Sequence, residues 1–245
     1  MAATLVQQKA LSSGGTNTFT MTMPGNISAG NTLALMGGAD QVAQWVSSVV
    51  GGGVTWTLQK SISDAALSAN SGWVGPNSTG GVNNVVATTN GGTYARKNVH
   101  LSEWSSINTT TPVNNSNSGT NGFGPPTPSI AVVGTGDMVL IASGIGGGTE
   151  STPTAGFTAL TSGFTGAAFS YLIQTGATGT ISTSWTHGGG SYSNSSWVML
   201  ALNVSSGGGI VGPLMQNFGQ LYPMISDLGS QFASTSRTNG QLFPL

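Results

Sequence analysis

Short runs of alternating apolar and polar residues dominate most of the chain. In Thr16–Met23, phenylalanine and methionine alternate with threonine, and this period of two residues predicts a strand with one buried face. Pro24 and Gly25 follow, and their turn chemistry ends the strand. Thr32–Met36 has no such alternation, so we expect a strand that is buried on both faces.

Further runs of similar length recur along the chain, with glycine, asparagine and proline between them. They are Val54–Leu58, Asn84–Thr88, Asn98–Trp104, Ile130–Val133, Met138–Ala142, Ala167–Gln174, Thr180–Trp185 and Ser196–Val204. A series of roughly a dozen short strands with turns between them is typical of an antiparallel sandwich or barrel. We therefore predict that residues 1–204 form an all-β, antiparallel β-sandwich domain.

The pattern changes after Val204. Residues 205–209 read Ser-Ser-Gly-Gly-Gly, which is typical of a flexible linker. In residues 210–245 apolar side chains recur at helix-like spacings, and Pro223 interrupts any continuous helix. We predict a partly helical assembly arm that docks on a neighbouring subunit; the alternative is that the segment folds back on the sandwich as a last strand and lid. The side chains expected to dock are Leu214, Met215, Phe218, Leu221, Tyr222, Ile225, Leu228 and Phe243.

Charge is scarce in this chain of 245 residues. Charged residues make up 4% of it, against about 25% in a typical soluble domain, and the formal net charge is −1. Five lysines and arginines cannot form the basic stripe that neutralises phosphates, so we expect no nucleic-acid partner. No apolar run approaches the roughly 18 residues of a spanning helix, so we expect no membrane partner. A near-neutral surface is poorly protected against self-association, which favours a protein that works in an assembly.

The side chains capable of catalysis are few. His100 and His187 are the two histidines, cysteine is absent, and no Gly-x-Ser-x-Gly motif occurs. Glu103 lies three residues after His100 in one predicted strand, which leaves open an esterase or glycosidase built on this pair. An ion pair of Glu103 with Arg96 or Lys97 is the interpretation we prefer. We expect no enzyme, no catalytic residue and no cofactor.

Metal binding is not expected either. Calcium would need Asp40, Asp64, Asp137 or Glu150, and no two carboxylates have the spacing of a calcium-binding loop. Zinc or copper would need more histidine or cysteine than the chain contains.

Carbohydrate binding is the functional alternative to a purely structural role. Sugars stack on exposed aromatic rings, and Trp45 and Trp73 lie in stretches rich in glycine and serine. We predict loops there, with both rings exposed and able to contact a glycan. Trp56, Trp104 and Trp197 lie on predicted strands and are expected to pack inside.

Several short motifs occur in the order found in a known domain family. The matching segments are Ser28–Leu35, Val54–Leu58, Ser102–Ile107, Thr109–Pro112, Thr135–Leu140 and Ser196–Val204. Through them, the chain from about Gly25 to Val204 resembles the lectin-like, or LamG-like, jelly-roll β-sandwich domain of bacteriophage virion proteins and some bacterial surface proteins. Ser106 stands where the family has glycine. The resemblance implies a jelly-roll fold and a virion context, implies no catalytic site, and does not extend to residues 210–245.

These observations lead to one hypothesis and one main alternative. The first is a bacteriophage virion structural protein, either a capsid decoration (cement) protein or a component of a head or tail fibre. Its partners would be other copies of the chain, in a homo-oligomer such as a trimer, and a capsid or tail protein. Met1–Lys9 does not resemble a signal peptide, so we expect synthesis in the host cytoplasm and a location in the virion. The alternative is a carbohydrate-binding or adhesion module that recognises a cell-surface glycan of the host.

Overall fold

A computed structural model describes most of the chain up to Ser205. The chain divides into two units, Met1–Ser205 and Ser206–Leu245, and the predicted arm of residues 210–245, with all its docking side chains from Leu214 to Phe243, lies outside the described residues. At residues 132, 145, 149–153, 167 and 186–188 the structure describes the backbone but not the side chain. The described ranges are 2–13, 15–39, 45–64, 68–90, 97–121, 126–132, 134–145, 149–153, 156–162, 167–175, 178–188 and 195–205.

All the regular secondary structure in the described ranges is β-strand, and all the strand pairs are antiparallel. For the described residues, the prediction of an all-β, antiparallel fold is confirmed. The strands are β1 (Thr4–Ser13), β2 (Thr18–Thr22), β3 (Thr32–Ala39), β4 (Val46–Gly51), β5 (Thr57–Asp64), β6 (Ser68–Gly75), β7 (Asn84–Thr89), β8 (Lys97–Ser105), β9 (Val113–Asn121), β10 (Ser129–Val132), β11 (Met138–Ile145), β12 (Thr149–Pro153), β13 (Thr158–Ala159), β14 (Ala167–Ile173), β15 (Gly179–Ser182), β16 (Trp185–Gly188) and β17 (Ser195–Leu202).

The strands form four layers. The first inner sheet has the order β1-β8-β3-β6-β5, and the second inner sheet has the order β13-β14-β11-β17-β9. A first outer sheet, β2-β7-β4, covers the first inner sheet. The pairs β10-β15 and β12-β16 form a second outer layer over the second inner sheet.

Each inner sheet therefore has a hydrophobic core on both of its faces. Met36 and Val74 of the first inner sheet meet Leu140 and Leu200 of the second. The opposite face of β3, which carries Leu35, packs against the first outer sheet. This arrangement explains why β3 is buried at every position, as its lack of alternation predicts.

The two halves of the described chain repeat one topology. The order β1-β8-β3-β6-β5 becomes β9-β17-β11-β14-β13, and the outer order β2-β7-β4 corresponds to β10-β15 together with β12-β16. The register agrees in detail, because the first strand of each half carries one extra residue at the same place. Val6 is extra opposite Trp104 and Glu103, and Asn114 is extra opposite Leu202 and Ala201. The fold is thus an internal duplication whose halves pack through their inner sheets.

The predicted strands agree with the observed ones most closely where the apolar pattern is clean. β2 has buried Phe19 and Met21 between exposed threonines, as predicted. The run Val54–Leu58 is only partly a strand, because β5 begins at Thr57. The pattern does not predict β1, β4, β6, β9, β12 or β13. Strand β9 reads Val-Asn-Asn-Ser-Asn-Ser-Gly-Thr-Asn, a loop-like composition that pairs along its whole length with β17.

Close approach of the inner sheets requires glycine at position 72 of β6. A Cβ at Gly72 would lie 2.9 Å from Leu200 Cδ1 and 3.2 Å from Val198 Cγ1, both on β17. We predict that Gly72→Ala lowers the free energy of unfolding by about 1–3 kcal/mol, because it overpacks a filled core. Urea unfolding of the full chain measures this.

The matched control is Gly179→Ala on β15, where a Cβ would meet no atom within 4 Å. Leu200→Ala leaves a cavity of its own, so the double variant Gly72→Ala/Leu200→Ala should lose less stability than the sum of the two single losses, since it removes the clashing group. Equal stability of Gly72→Ala and Gly179→Ala would contradict the close packing of the inner sheets.

Candidate functional site

Glu103 fastens a loop to the first inner sheet. Its side chain on β8 is fully buried. The carboxylate accepts hydrogen bonds from the backbone N–H of Ser28 at 2.8 Å, from Asn31 Nδ2 at 2.6 Å and from Gln7 Nε2 at 2.5 Å. Ser28 and Asn31 belong to the loop between β2 and β3, so these bonds hold that loop against the sheet.

Of the two ion pairs that we preferred for Glu103, the one with Lys97 is not formed. Lys97 lies at the other end of β8, roughly 20 Å away at the rise of an extended strand, and Arg96 lies outside the described residues. Lys97 Nζ instead donates to the backbone oxygen of Thr16 and to Asn17 Oδ1, both at 3.0 Å. The charge of Lys97 therefore serves the other end of the same strand.

Asp137 does in the second half what Glu103 does in the first. It occupies the position equivalent to Asn31, directly before the third strand of its half. Its carboxylate accepts hydrogen bonds from Asn114 Nδ2 at 2.8 Å and from the Gly134 N–H at 2.9 Å. The carboxylate of the second half thus stands at the position of the amide of Asn31, whereas its amide partner Asn114 is the extra residue of β9, equivalent to Val6. Both acids are engaged in holding a loop.

His100 lies between the two inner sheets. Its fully buried ring stacks on Phe169 of β14, with centroids 5.4 Å apart. The Nε2 atom is 2.9 Å from Gln8 Oε1, and that oxygen also accepts the Thr161 N–H at 3.0 Å. Because a carbonyl oxygen only accepts, Nε2 carries the proton and Nδ1 does not. Within the described residues Nδ1 has no hydrogen-bond partner.

His100 and Glu103 are not brought together. They are three positions apart on one strand, and since side chains alternate between the faces, theirs lie on opposite faces of the first inner sheet. Burial lowers the pKa of His100 from 6.5 to about 3, so the imidazole is neutral at pH 7. A catalytic site built on this pair is contradicted by the geometry.

The remaining candidate catalytic or metal-binding residues lie apart from one another, have side chains that are not described, or lie outside the described residues. Glu150 of β12 is opposite His187 of β16 in the strand register, but neither side chain is described. Asp64 ends β5, and Asp40 lies outside the described residues. In the described part of the chain no three His, Cys, Asp or Glu residues are grouped so as to hold a metal ion. None of its elements is a helix of the length and apolarity that crossing a membrane requires.

The prediction that Trp45 and Trp73 are exposed is wrong, and the prediction of a loop is wrong for Trp73. Trp45 is 0% and Trp73 9% exposed, and both belong to the core between the first inner and first outer sheets. Trp73 lies in β6. The physical reason is that glycine makes room for the ring: a Cβ at Gly37 of β3 would lie 2.6 Å from Trp45 Cδ1. Neither ring can stack on a sugar from this position.

Trp56 was predicted to be buried but is partly exposed. Trp104 and Trp197 are buried as predicted, but Trp56 retains part of its exposure in the connection between β4 and β5. Its indole Nε1 donates to the backbone oxygen of Gly51 at 3.0 Å. Among the tryptophans, all of which are described, Trp56 alone is not buried. The composition of its surroundings gave no signal of this.

The same connection contains a glycine loop, Gly51–Gly53, in an unusual conformation. Its three residues have φ values of 93°, 71° and 66°, which glycine adopts readily and other residues rarely do. Space is excluded as well. A Cβ on the first, second or third glycine would lie 2.5 Å from the Asn84 oxygen, 2.4 Å from Leu33 Cδ1 or 2.5 Å from Thr79 Oγ1.

Hydrogen bonds hold the glycine loop from several sides. Its second carbonyl accepts from Ser78 Oγ at 2.9 Å, and its third accepts from the Thr79 N–H at 2.9 Å. The N–H of Gly52 donates to the Asn84 oxygen at 2.9 Å. With the bond from Trp56 to the first carbonyl, all three carbonyls of the loop are engaged.

Two open clefts flank the glycine loop. The larger has a volume of about 550 Å³, and the side chains that line it belong to Val54, Thr55, Pro76, Asn77 and Thr79. The smaller, of about 350 Å³, is lined by Val82, Asn83 and Asn84. Gly51 and Gly53 border both. No charged side chain lines either of these two clefts, which makes them a neutral surface of hydroxyl, amide and aliphatic groups.

Comparison with known proteins finds no match. No protein-family model, no curated protein and no solved structure matches this chain.

The burial of His100 predicts a pH dependence of stability. Its folded pKa of about 3 is below the unfolded value near 6.5, so between these values only the unfolded chain binds the proton. Stability is fully present above about pH 6.5 and is lost as the pH falls towards 3, by at most about 1.4 kcal/mol per pH unit. Urea unfolding at a series of pH values measures this slope.

His100→Gln is the comparison variant for this prediction, because it cannot titrate while every carboxylate is unchanged. Its stability should depend less on pH than that of the native chain between pH 6.5 and 4. Parallel curves for the two proteins would contradict a neutral buried His100.

The bonds of Glu103 predict a specific loss of stability. Glu103→Gln leaves buried N–H donors facing an amide that offers one oxygen instead of two, and we expect it to lower the free energy of unfolding by about 1–3 kcal/mol. Asp64→Asn, which makes the same chemical change at the end of β5, should stay within about 0.5 kcal/mol of the native chain. Similar effects of both variants would refute the role assigned to Glu103.

Proposed function

We propose that the chain is a structural protein of a bacteriophage virion, either a capsid decoration protein or a component of a head or tail fibre. In this proposal the residues up to Val204 form the body and residues 210–245 form the arm that attaches it to a neighbour. The lectin-like or LamG-like resemblance supports the virion context.

We further propose that each half of the body is a jelly roll. The order β1-β8-β3-β6 in one sheet, opposite β2-β7-β4 in the other, supports this. The second half gives the corresponding order β9-β17-β11-β14. Two such units joined through their inner sheets make a rigid body suited to mechanical load.

The observation that carries the proposal is the use of reactive side chains inside the body. Glu103 and Asp137 hold loops, Lys97 binds backbone and amide oxygens, and His100 is neutral between the sheets. The exposed face of β2 offers threonine hydroxyls instead. With Lys97, Glu103 and Asp137 engaged inside the body, few charged side chains are left for the surface of the described part. A nearly neutral surface favours close packing of copies over repulsion between them.

Purified virus particles from the source of the sequence test the proposal directly. The chain is expected to co-purify with capsid and tail proteins in stoichiometric amount, and the isolated full-length chain is expected to be an oligomer by light scattering. A monomer that is absent from purified particles would overturn the proposal.

Substitutions in the arm test how attachment occurs. The triple variant Leu214→Asn, Phe218→Asn and Leu221→Asn should abolish oligomer formation and particle binding, since it removes apolar contact area. The matched control changes Gln216, Gln220 and Gln231 to Asn in the same segment. Retained binding in the first variant would contradict the arm as the point of attachment. Circular dichroism checks that the β body is intact in both.

A further inference from the structure

We propose that the two clefts beside the glycine loop form a binding site for a neutral oligosaccharide. This site goes beyond a structural role in a particle and does not depend on it, since it lies in the first half of the β body. It also differs from the glycan contact expected at Trp45 and Trp73, both of which are buried.

The glycine loop is preorganised for binding. All three carbonyls of Gly51–Gly53 accept hydrogen bonds, and each glycine lacks room for a Cβ. Such a loop has one conformation before any ligand arrives, so binding does not cost the ordering of a flexible loop. A surface feature that is already rigid is suited to hold a ligand of modest affinity.

The fold does not require the glycine loop. In the second half the equivalent connection runs from Pro153 to Thr158, and its sequence is Thr-Ala-Gly-Phe. Register places Phe157 at the position of Trp56. The duplicated topology is therefore made without three consecutive glycines. The glycine loop and its tryptophan are an elaboration of the first half alone.

The groups that line the larger cleft suit a neutral sugar. Thr55, Asn77 and Thr79 offer hydroxyl and amide groups at the exposed rim of the larger cleft, and Val54 and Pro76 offer aliphatic surface. A charged ligand would lose hydration here without gaining an opposite charge. A sugar presents hydroxyl groups at its edges and C–H groups on its faces, and so it matches this mixture without any charge.

The two clefts are large enough for a small ligand and are continuous with each other. Volumes of about 550 and 350 Å³ are in the range of small-ligand sites. The two clefts meet at Gly51 and Gly53, so a chain of sugar units that crosses the glycine loop contacts both. Trp56 is bonded to the same loop through Nε1 and keeps part of its surface exposed. An oligosaccharide fits this layout better than a single sugar does.

Amide NMR titration of the full chain tests the site. The probes are maltohexaose, a hexamer of N-acetylglucosamine and a β-linked galactose oligomer, with an oligomer of sialic acid as the charged comparison. We expect at least one neutral probe, at millimolar concentration, to shift the amide signals of Gly51–Gly53, Asn77 and Thr79. The sialic acid oligomer should leave them unchanged.

Two variants locate the binding. Asn77→Gly keeps the positive φ of 56° at this position and removes the amide, and it should weaken binding about tenfold, the worth of one or two hydrogen bonds. Thr55→Arg fills the larger cleft and should abolish binding. The matched control is Thr158→Arg, at an exposed threonine of the second half, and it should bind as the native chain does.

The proposal is overturned if no neutral probe shifts these amides, or if only the charged probe does. It is also overturned if a neutral probe binds equally well to the native chain, Asn77→Gly and Thr55→Arg. Thermal unfolding establishes that each variant is folded. Should Thr55→Arg fail to fold, Asn77→Gly alone decides between the two results.

Discussion

The packing of the two inner sheets against each other is the constraint on which the rest of the structure depends. At Gly72 the distance to Leu200 and Val198 of the opposite sheet leaves no room even for a methyl group. Each inner sheet is covered again on its far side, so its strands must fit two cores at once. Small residues supply that fit. This explains how a chain with 39 glycines can bury large rings such as that of Trp45 beside Gly37.

The same constraint decides what the polar groups do. A charged group inside doubly covered sheets needs partners in the protein, because an unpaired buried charge costs far more free energy than a neutral polar atom does. Glu103 and Asp137 meet this demand by holding loops in equivalent places of the two halves. His100 meets it by remaining neutral against Gln8. Scarcity of charge is thus a property of the interior as well as of the surface, and the groups that face outward are mainly hydroxyls, amides and the glycine loop.

The sequence predicts the all-β class and the strands with a clear period, because burial on one face leaves alternation in β2 and burial on both leaves an unbroken run in β3. It does not predict β9, whose polar composition is compatible with a strand only because β17 pairs with it. The duplication is faintly visible in the repeat of Gly-Asn before β3 and Gly-Asp before β11. The tryptophans could not be placed, since local glycine content gives the same signal for a loop and for a cavity that holds a ring.

The central claim is that the two halves form one body through their inner sheets. Native-state hydrogen exchange of the full chain tests it most directly. If the claim is right, the backbone amides of β3 and β8 in the first half and of β11 and β17 in the second are the most protected. They then exchange with one common free energy, that of global unfolding. If one half exchanged through an opening that left the other half protected, the halves would be separate units and the claim would be wrong.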